Sequence, residues 1–194
     1  MAKDSKVVYG ASGKTNVLTF EPENLHLVTD KTHPLYDERV HLPIHEPTVL
    51  NIMKLGVLEP IIVWKDPETA LTCVVEGRQR VKNTLEANKR LRKEGRKPLL
   101  VPAVAKRDSP SRLAQVMVSA NEIYQPDTPL GRAKKMADAL GRGQDEQDLS
   151  LTFGVSIPTV RATLALLDAT QAVKDAVEAV SYTHLRAHET DQYL

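Results

Sequence analysis

Two stretches of this chain carry residue types at spacings that do chemistry. In the first, Val74-Val-Glu-Gly-Arg-Gln-Arg-Val81, an apolar run ends in a glycine and a helical pattern opens with two arginines. The first N–H groups of a helix have no partner inside it and lie at the positive end of its dipole. Gly77, Arg78, Gln79 and Arg80 therefore make a candidate seat for a phosphate, with two guanidiniums to reinforce it. In the second, Asp148-Leu-Ser-Leu-Thr-Phe-Gly-Val-Ser-Ile-Pro-Thr-Val-Arg-Ala-Thr-Leu-Ala-Leu-Leu167, the spacing is that of a helix-turn-helix. Leu149 and Phe153 face inward, Gly154 permits the tight turn, Val155 fills the space beneath it and Ser156 caps the second helix. Val160, Leu164 and Leu167 bury the back of that helix. Its start and front, Ser156, Ile157, Thr159, Arg161 and Thr163, are the candidate DNA-binding residues, because a recognition helix meets base edges near its N-terminus and Ser, Thr and Arg also reach phosphates.

Other groups invite chemistry that their spacing does not support. Gly10-Ala-Ser-Gly-Lys-Thr15 resembles a phosphate-binding loop, but Val8 stands where that loop needs its first glycine. Cys73 is the sole cysteine, so an internal disulfide and a Cys-rich zinc site are excluded. It falls inside an apolar run, where a small buried hydrophobe is expected. His33, His41 and His45 are scattered through an acidic stretch without metal-ligand spacing. His184 and His188 stand four apart with no third ligand.

The elements that must position these residues are read from periodicity. Residues 1–15 are polar and read as a flexible arm. Residues 16–108 mix strands and helices: strands or extended segments are expected at Val17–Phe20 and Leu25–Val28, strands at Pro60–Trp64, Leu71–Val75 and Leu99–Ala105, and helices over Glu46–Leu55 and Arg78–Glu94. After Asp108 the strands disappear. Ser109-Pro110 and Thr128-Pro129 both read as helix starts, a capping hydroxyl followed by a proline in the first turn. Helices are expected from there to Val180, with the helix-turn-helix at about 146–167. The tail, residues 181–194, breaks the pattern, and Ser181–Thr190 looks like translated adapter sequence, so it is set aside as non-native.

The chain has 194 residues, 41% hydrophobic and 26% charged, which is ordinary for a globular protein of one or two small domains. A formal net charge of +1 excludes a uniformly cationic coat for nucleic acid. The charge is nonetheless segregated. Residues 21–77 hold four Lys/Arg against ten Asp/Glu, whereas 78–112 hold twelve against three. Such a division suggests a local face for an anion. No apolar run approaches the roughly 18 residues that would span a bilayer, and a soluble protein of a reducing compartment is expected.

The order of motifs over residues 24–180 resembles the ParB family of partition proteins. His33-Pro34 with Arg39 is similar to the first box of that family. Ile52-Met-Lys-Leu-Gly-Val-Leu-Glu-Pro-Ile-Ile-Val63 is similar to its helix, Gly-Val, Pro-Ile and strand. Gly77-Arg-Gln-Arg80 stands where the family has Gly-Glu-Arg-Arg, and Ala120-Asn121 with Pro129 and Ala133 resembles its third box. The resemblance implies an α+β ParB/sulfiredoxin-like N-terminal domain followed by an all-helical helix-turn-helix domain.

It further implies sequence-specific binding of double-stranded DNA in plasmid, phage or chromosome partition or maintenance. A cytoplasmic, nucleoid- or plasmid-associated homodimer with a ParA-type ATPase partner would go with that role. The family's first three boxes hold CTP with Mg2+, which carries the phosphate seat to Gly77, Arg78, Gln79, Arg80 and Asn121 and makes a CTP switch or a nuclease-type enzyme the alternative function. Three positions depart from the family: Arg78 and Ala120 replace glutamates and Tyr124 replaces an arginine. Loss of a carboxylate and a cation there favours anion binding with slow or absent turnover. Sulfiredoxin's reactive cysteine would stand at Arg78, which excludes that activity.

Overall fold

The computed structural model describes residues 17–122 and 127–190, with side chains over 17–120 and 127–180. Two units divide the chain. One takes the described residues to Ile44 together with Ile52–Glu122, and the other takes His45–Asn51 with the described residues from 127 onward.

The first unit is built on four strands, β1 (Val17–Phe20), β2 (Ile61–Lys65), β3 (Thr72–Glu76) and β4 (Val101–Lys106). They lie in the order β1-β4-β2-β3. β4 pairs antiparallel with β1 and parallel with β2, and β2 pairs antiparallel with β3 through an irregularity at Ile62/Val63. Both faces of the sheet are covered, which is why β2 and β3 read as unbroken apolar runs rather than alternating ones. On one face Ile61, Val63, Val74, Val101 and Ala103 pack with Leu25 and with Val81 of helix α2 (Arg78–Lys93). On the other, Trp64, Cys73 and Val75 pack with Val28, Leu35 and with Leu113 and Met117 of helix α3 (Pro110–Glu122). The period of two along each strand sends successive residues to opposite helices. Helix α1 (Glu46–Leu55) precedes β2 in the chain.

Two outcomes differ from the sequence reading, and a third resolves an alternative it left open. Leu25–Val28 takes the extended alternative and not a ladder strand. Pro22–Asn24 forms a short 3-10 turn, and only His26 bridges to Cys73, receiving from Val74 and donating to Thr72 at 2.9 and 2.8 Å. Leu25 and Val28 are nonetheless buried. The change from mixed to helical structure at 108 is not the unit boundary, because Leu113 and Met117 close the sheet's second face and α3 belongs to the first unit. The approach to β4 is held by a side chain instead of a ladder. Buried Asn88 of α2 donates to the carbonyl of Leu99 at 2.9 Å and accepts from its N–H at 2.7 Å, so the strand proper starts at Val101.

The second unit is helical: α4 (Pro129–Gly141), α5 (Glu146–Phe153), α6 (Ile157–Ala165) and α7 (Gln171–Thr190). Thr128 caps α4, accepting from the N–H of Gly131 at 3.1 Å with Pro129 in the first turn. Met136, Leu149 and Val160 are fully buried at the meeting of α4, α5 and α6, with Leu140, Phe153, Val155 and Leu164 packed around them. α7 runs on to Thr190, past the point where the sequence pattern breaks.

The junction between β3 and α2 is sterically closed. Gly77 has φ +96°, and a Cβ there would lie 2.4 Å from Cγ2 of Ile61. Gly77→Ala combines a left-handed backbone with an overlap against a buried strand, so it should destabilise the chain by about 2 kcal/mol or more. Urea unfolding of the variant checks this; an unchanged midpoint would show that the junction is looser than the geometry states.

Candidate functional sites

The helix-turn-helix is assembled by caps that the sequence announces. Asp145 caps α5, its carboxylate accepting from the N–H of Asp148 at 2.7 Å, and the Asp148 carboxylate returns the bond to the N–H of Asp145. Gly154 ends α5 with φ +64°, the left-handed conformation the turn requires. Ser150 donates its hydroxyl to the carbonyl of Val155 at 2.6 Å, closing the turn on itself. Ser156 then caps α6, accepting from the N–H of Thr159. Two residues outside the motif hold its first helix. Arg132 of α4 donates to the carbonyl of Phe153 at 2.7 Å and lies over that ring, and Asn51 donates to the carbonyl of Leu151 at 3.0 Å. Neither is legible from the motif itself. The last carbonyls of a helix accept cations well, but the sequence does not say which arginine arrives.

The front of α6 presents its residues unequally. Ser156, Thr159 and Arg161 are exposed, whereas Ile157 and Thr163 are half-buried. Thr163 spends its hydroxyl on the carbonyl of Thr159 at 2.8 Å. Arg161 is engaged by Glu146 of α5, its Nε 2.9 and 3.0 Å and its Nη2 2.6 Å from the carboxylate oxygens. That contact holds the Glu146 carboxyl below its usual range and raises the guanidinium above its own. The surroundings are not cationic: residues 127–180 hold six Lys/Arg against eight Asp/Glu. Lys134, Lys135 and Arg142 of α4 and its end are the exposed cations nearest in sequence to the motif.

The second candidate lies at the start of α2. Asp37, Arg39, Glu76, Gly77, Arg78, Gln79 and Arg80 line a cleft of about 160 Å³. Gly77 offers no capping side chain, and the first intrahelical bond of α2 is from the N–H of Val81 to its carbonyl. No capping side chain therefore covers the N–H groups of the first turn.

The sequence reading sends Arg78 to an anion, yet its side chain is only 4% exposed. It turns back from the helix start, as a side chain in the first turn does, and enters the fold. There it donates to the carbonyls of Val75 and Leu35 at 2.7 and 2.6 Å and to the sulfur of Met117 at 3.0 Å, with Asp37 at 4.0 Å. Burial lowers its pKa, and Asp37 and Glu76 oppose the shift. Its Nε is buried without a partner. Arg80 is chelated by Glu76 at 2.8 and 2.9 Å and donates to the carbonyls of Glu59 and Pro60. Gln79 donates to the carbonyl of Arg39, and Lys82 to those of Val40 and Leu42. Arg78, Gln79 and Lys82 together fasten segment 35–42 to α2.

Asn121 lies in the last turn of α3 and its side chain is outside the described residues, as is Tyr124. The geometry brings Gly77, Arg78, Gln79 and Arg80 together and leaves Asn121 unplaced. Of the histidines, His33 accepts from the N–H of Leu35 at 3.1 Å and His45 contacts the hydroxyl of Thr48 at 2.8 Å. Among the described residues no group of three His, Cys, Asp or Glu could hold a metal ion. Cys73 is buried, and burial pushes its thiol up, so it has no thiolate character.

Among the described residues the cleft offers a magnesium ion two carboxylates, Asp37 and Glu76. Magnesium takes carboxylate oxygens; both oxygens of Glu76 are engaged by Arg80, and one oxygen of Asp37 accepts from the N–H of Arg39. The cleft of about 160 Å³ bounded by the described residues has room for one phosphate group.

Removing the buried cation tests its role. Arg78→Met keeps apolar volume but leaves two buried carbonyls without a donor, and a loss of about 2–4 kcal/mol is expected in urea unfolding. An unchanged or raised stability would show that the guanidinium is dispensable to the fold.

Comparison with known proteins gives a fold. No family model matches the chain, and no curated protein matches it. Among solved structures it is similar to the C-terminally truncated chromosome-partitioning protein ParB from Caulobacter crescentus complexed with CTP-γ-S, with 19% identity over 90% of this chain and 91% of that one and a TM-score of 0.69. A second structure of that protein, complexed to the centromeric parS site, aligns at 20% identity over 84% and 77% with a TM-score of 0.40. A mixed α+β N-terminal region followed by a mostly helical C-terminal region is the fold this chain shares with ParB.

Proposed function

We propose that this chain binds double-stranded DNA in a sequence-specific manner through α5 and α6. The observation that carries the reading is the helix-turn-helix geometry: a left-handed Gly154, a Ser156 cap, a buried Leu149–Val160 core and an exposed front at Ser156, Thr159 and Arg161. α6 enters the major groove with its first turn toward the base edges, and α5 crosses the backbone. Sharing its fold with a chromosome-partitioning protein supports a role in partition or maintenance of a chromosome, plasmid or phage. In that role the protein works as a homodimer on paired half-sites, with a partner ATPase.

The cleft at Gly77–Arg80 supports a second, smaller reading. Uncapped N–H groups at the start of α2 border a space the size of a phosphate group. It takes a compact anion, or the phosphate of a nucleotide such as CTP, without metal and without turnover. The Glu76 carboxylate, which a nuclease or CTPase would use, is engaged by Arg80.

Selection of duplexes from a random pool, followed by titration of the recovered sequence, tests the first reading. Arg161→Ala should weaken binding while leaving the melting temperature unchanged. A phosphate contact would lower the salt slope by about one unit, and a base contact would cost about 1–3 kcal/mol and relax specificity. Equal affinity and equal slope would remove Arg161 from the interface. Calorimetry with CTP, ATP, GTP and inorganic phosphate, each with and without magnesium, tests the cleft. Weak, magnesium-independent heats shared by all four are expected, and magnesium-dependent CTP hydrolysis would overturn the assignment.

A further inference from the structure

Arg161 is the only Lys or Arg in α6. Its partner Glu146 is fifteen residues away and opens α5, so the pair bridges the two helices of the motif. The contact is a two-oxygen, two-nitrogen chelate, the geometry with which a guanidinium also takes a phosphate. Both partners are open to solvent, with 67% of the Arg161 side chain and 38% of the Glu146 side chain exposed. An ion pair that exposed is held by a small margin. A phosphate approaching Arg161 must displace a carboxylate of similar geometry and then leave that carboxylate unpaired beside the DNA.

The rest of the α5 start strengthens the effect. Asp145 and Asp148 stand on either side of Glu146 and close the capping box on each other. A helix start ordinarily welcomes phosphate through its N–H groups and dipole. Here three carboxylates in four residues occupy it. Contacts to arbitrary phosphates are therefore disfavoured at both ends of the chelate, whereas a site that also engages Ser156 and Thr159 can supply what the exchange loses.

We propose that Glu146 is a specificity-determining residue: it withholds Arg161 from the phosphates of arbitrary duplexes, so that only a cognate sequence draws the guanidinium across. This rests on the DNA-binding reading above. Binding of the full chain is measured by anisotropy on a random-sequence duplex and on the duplex recovered by selection, for the parent, Glu146→Gln, Glu146→Asp, Arg161→Ala and Glu146→Gln with Arg161→Ala. Glu146→Gln should bind the random duplex about fivefold more tightly, with a salt slope steeper by about one unit and a smaller preference for the selected sequence. Glu146→Asp keeps the charge but is one methylene too short to chelate, and it should show most of that gain. In the Arg161→Ala background the gain should vanish.

The proposal is overturned if Glu146→Gln binds like the parent, or if its gain survives without Arg161. It is overturned equally if Glu146→Asp stays at the parent's level while Glu146→Gln tightens, since simple charge repulsion would then suffice. A parent that binds neither duplex and yields no selected sequence, together with a Glu146→Gln variant that is equally inert at low salt, would remove the DNA-binding reading itself.

Discussion

A buried guanidinium must be given acceptors, and Arg78 draws them from places far apart in the chain. The end of β3 supplies the carbonyl of Val75, the loop after the 3-10 turn supplies that of Leu35, and α3 supplies the sulfur of Met117. Desolvating a cation is expensive, and the expense is offset only when all of these are in place together. Arg78 thereby makes the positions of a strand end, a loop and a helix conditional on one another. Gly77 sets the direction of that arginine, because its close approach to Ile61 fixes where α2 begins. What resembles a ligand-binding motif in the sequence is, in the fold, mainly the joint on which the first unit is assembled.

The helical unit solves its problem differently. The cluster at its centre is small, Met136, Leu149 and Val160 with a ring of partly buried residues, so its uniqueness depends on how the helices start and stop. Asp145 and Ser156 cap the two helices of the motif, and Arg132 and Asn51 take carbonyls of the first. Each contact is modest alone. Together they fix the angle of α6 without loading its outer face with apolar residues, which leaves that face for polar side chains.

Much of this was legible in the sequence because the signals are local. Ser109-Pro110, Thr128-Pro129 and Ser156 mark helix starts by a hydroxyl that caps, and Gly154 marks a turn by the conformation it allows. β2 and β3 were legible as short apolar runs between turns. What failed was non-local. The apolar spacing at Leu25 and Val28 says that both are buried but not that a single bridge, rather than a strand ladder, lies between them. The amphipathic pattern of α3 shows a face but not its owner, so its membership in the first unit could not be read. The inward turn of Arg78 depends on a carbonyl 43 residues away, and an arginine after a glycine looks the same in sequence whether it faces in or out. The chelate between Arg161 and Glu146 was missed for the same reason.

In segment 35–42, position and backbone protection are supplied by different bonds. Its location is set through its carbonyls, which take donors from Arg78, Gln79 and Lys82. The bonds recorded for its own N–H groups stay within short turns: Tyr36 to His33, Val40 to Asp37 and Leu42 to Arg39 through the backbone, and Leu35 to the His33 ring and Arg39 to the Asp37 carboxylate. Turns of that kind open without disturbing a neighbouring element. Amide hydrogen exchange would therefore register this segment as fast, although its path through the molecule is as well determined as that of a strand. Kinetic lability of the backbone and fixity of the chain trace are separable properties here, and a mobility inferred from exchange alone would be assigned to the wrong part of the protein.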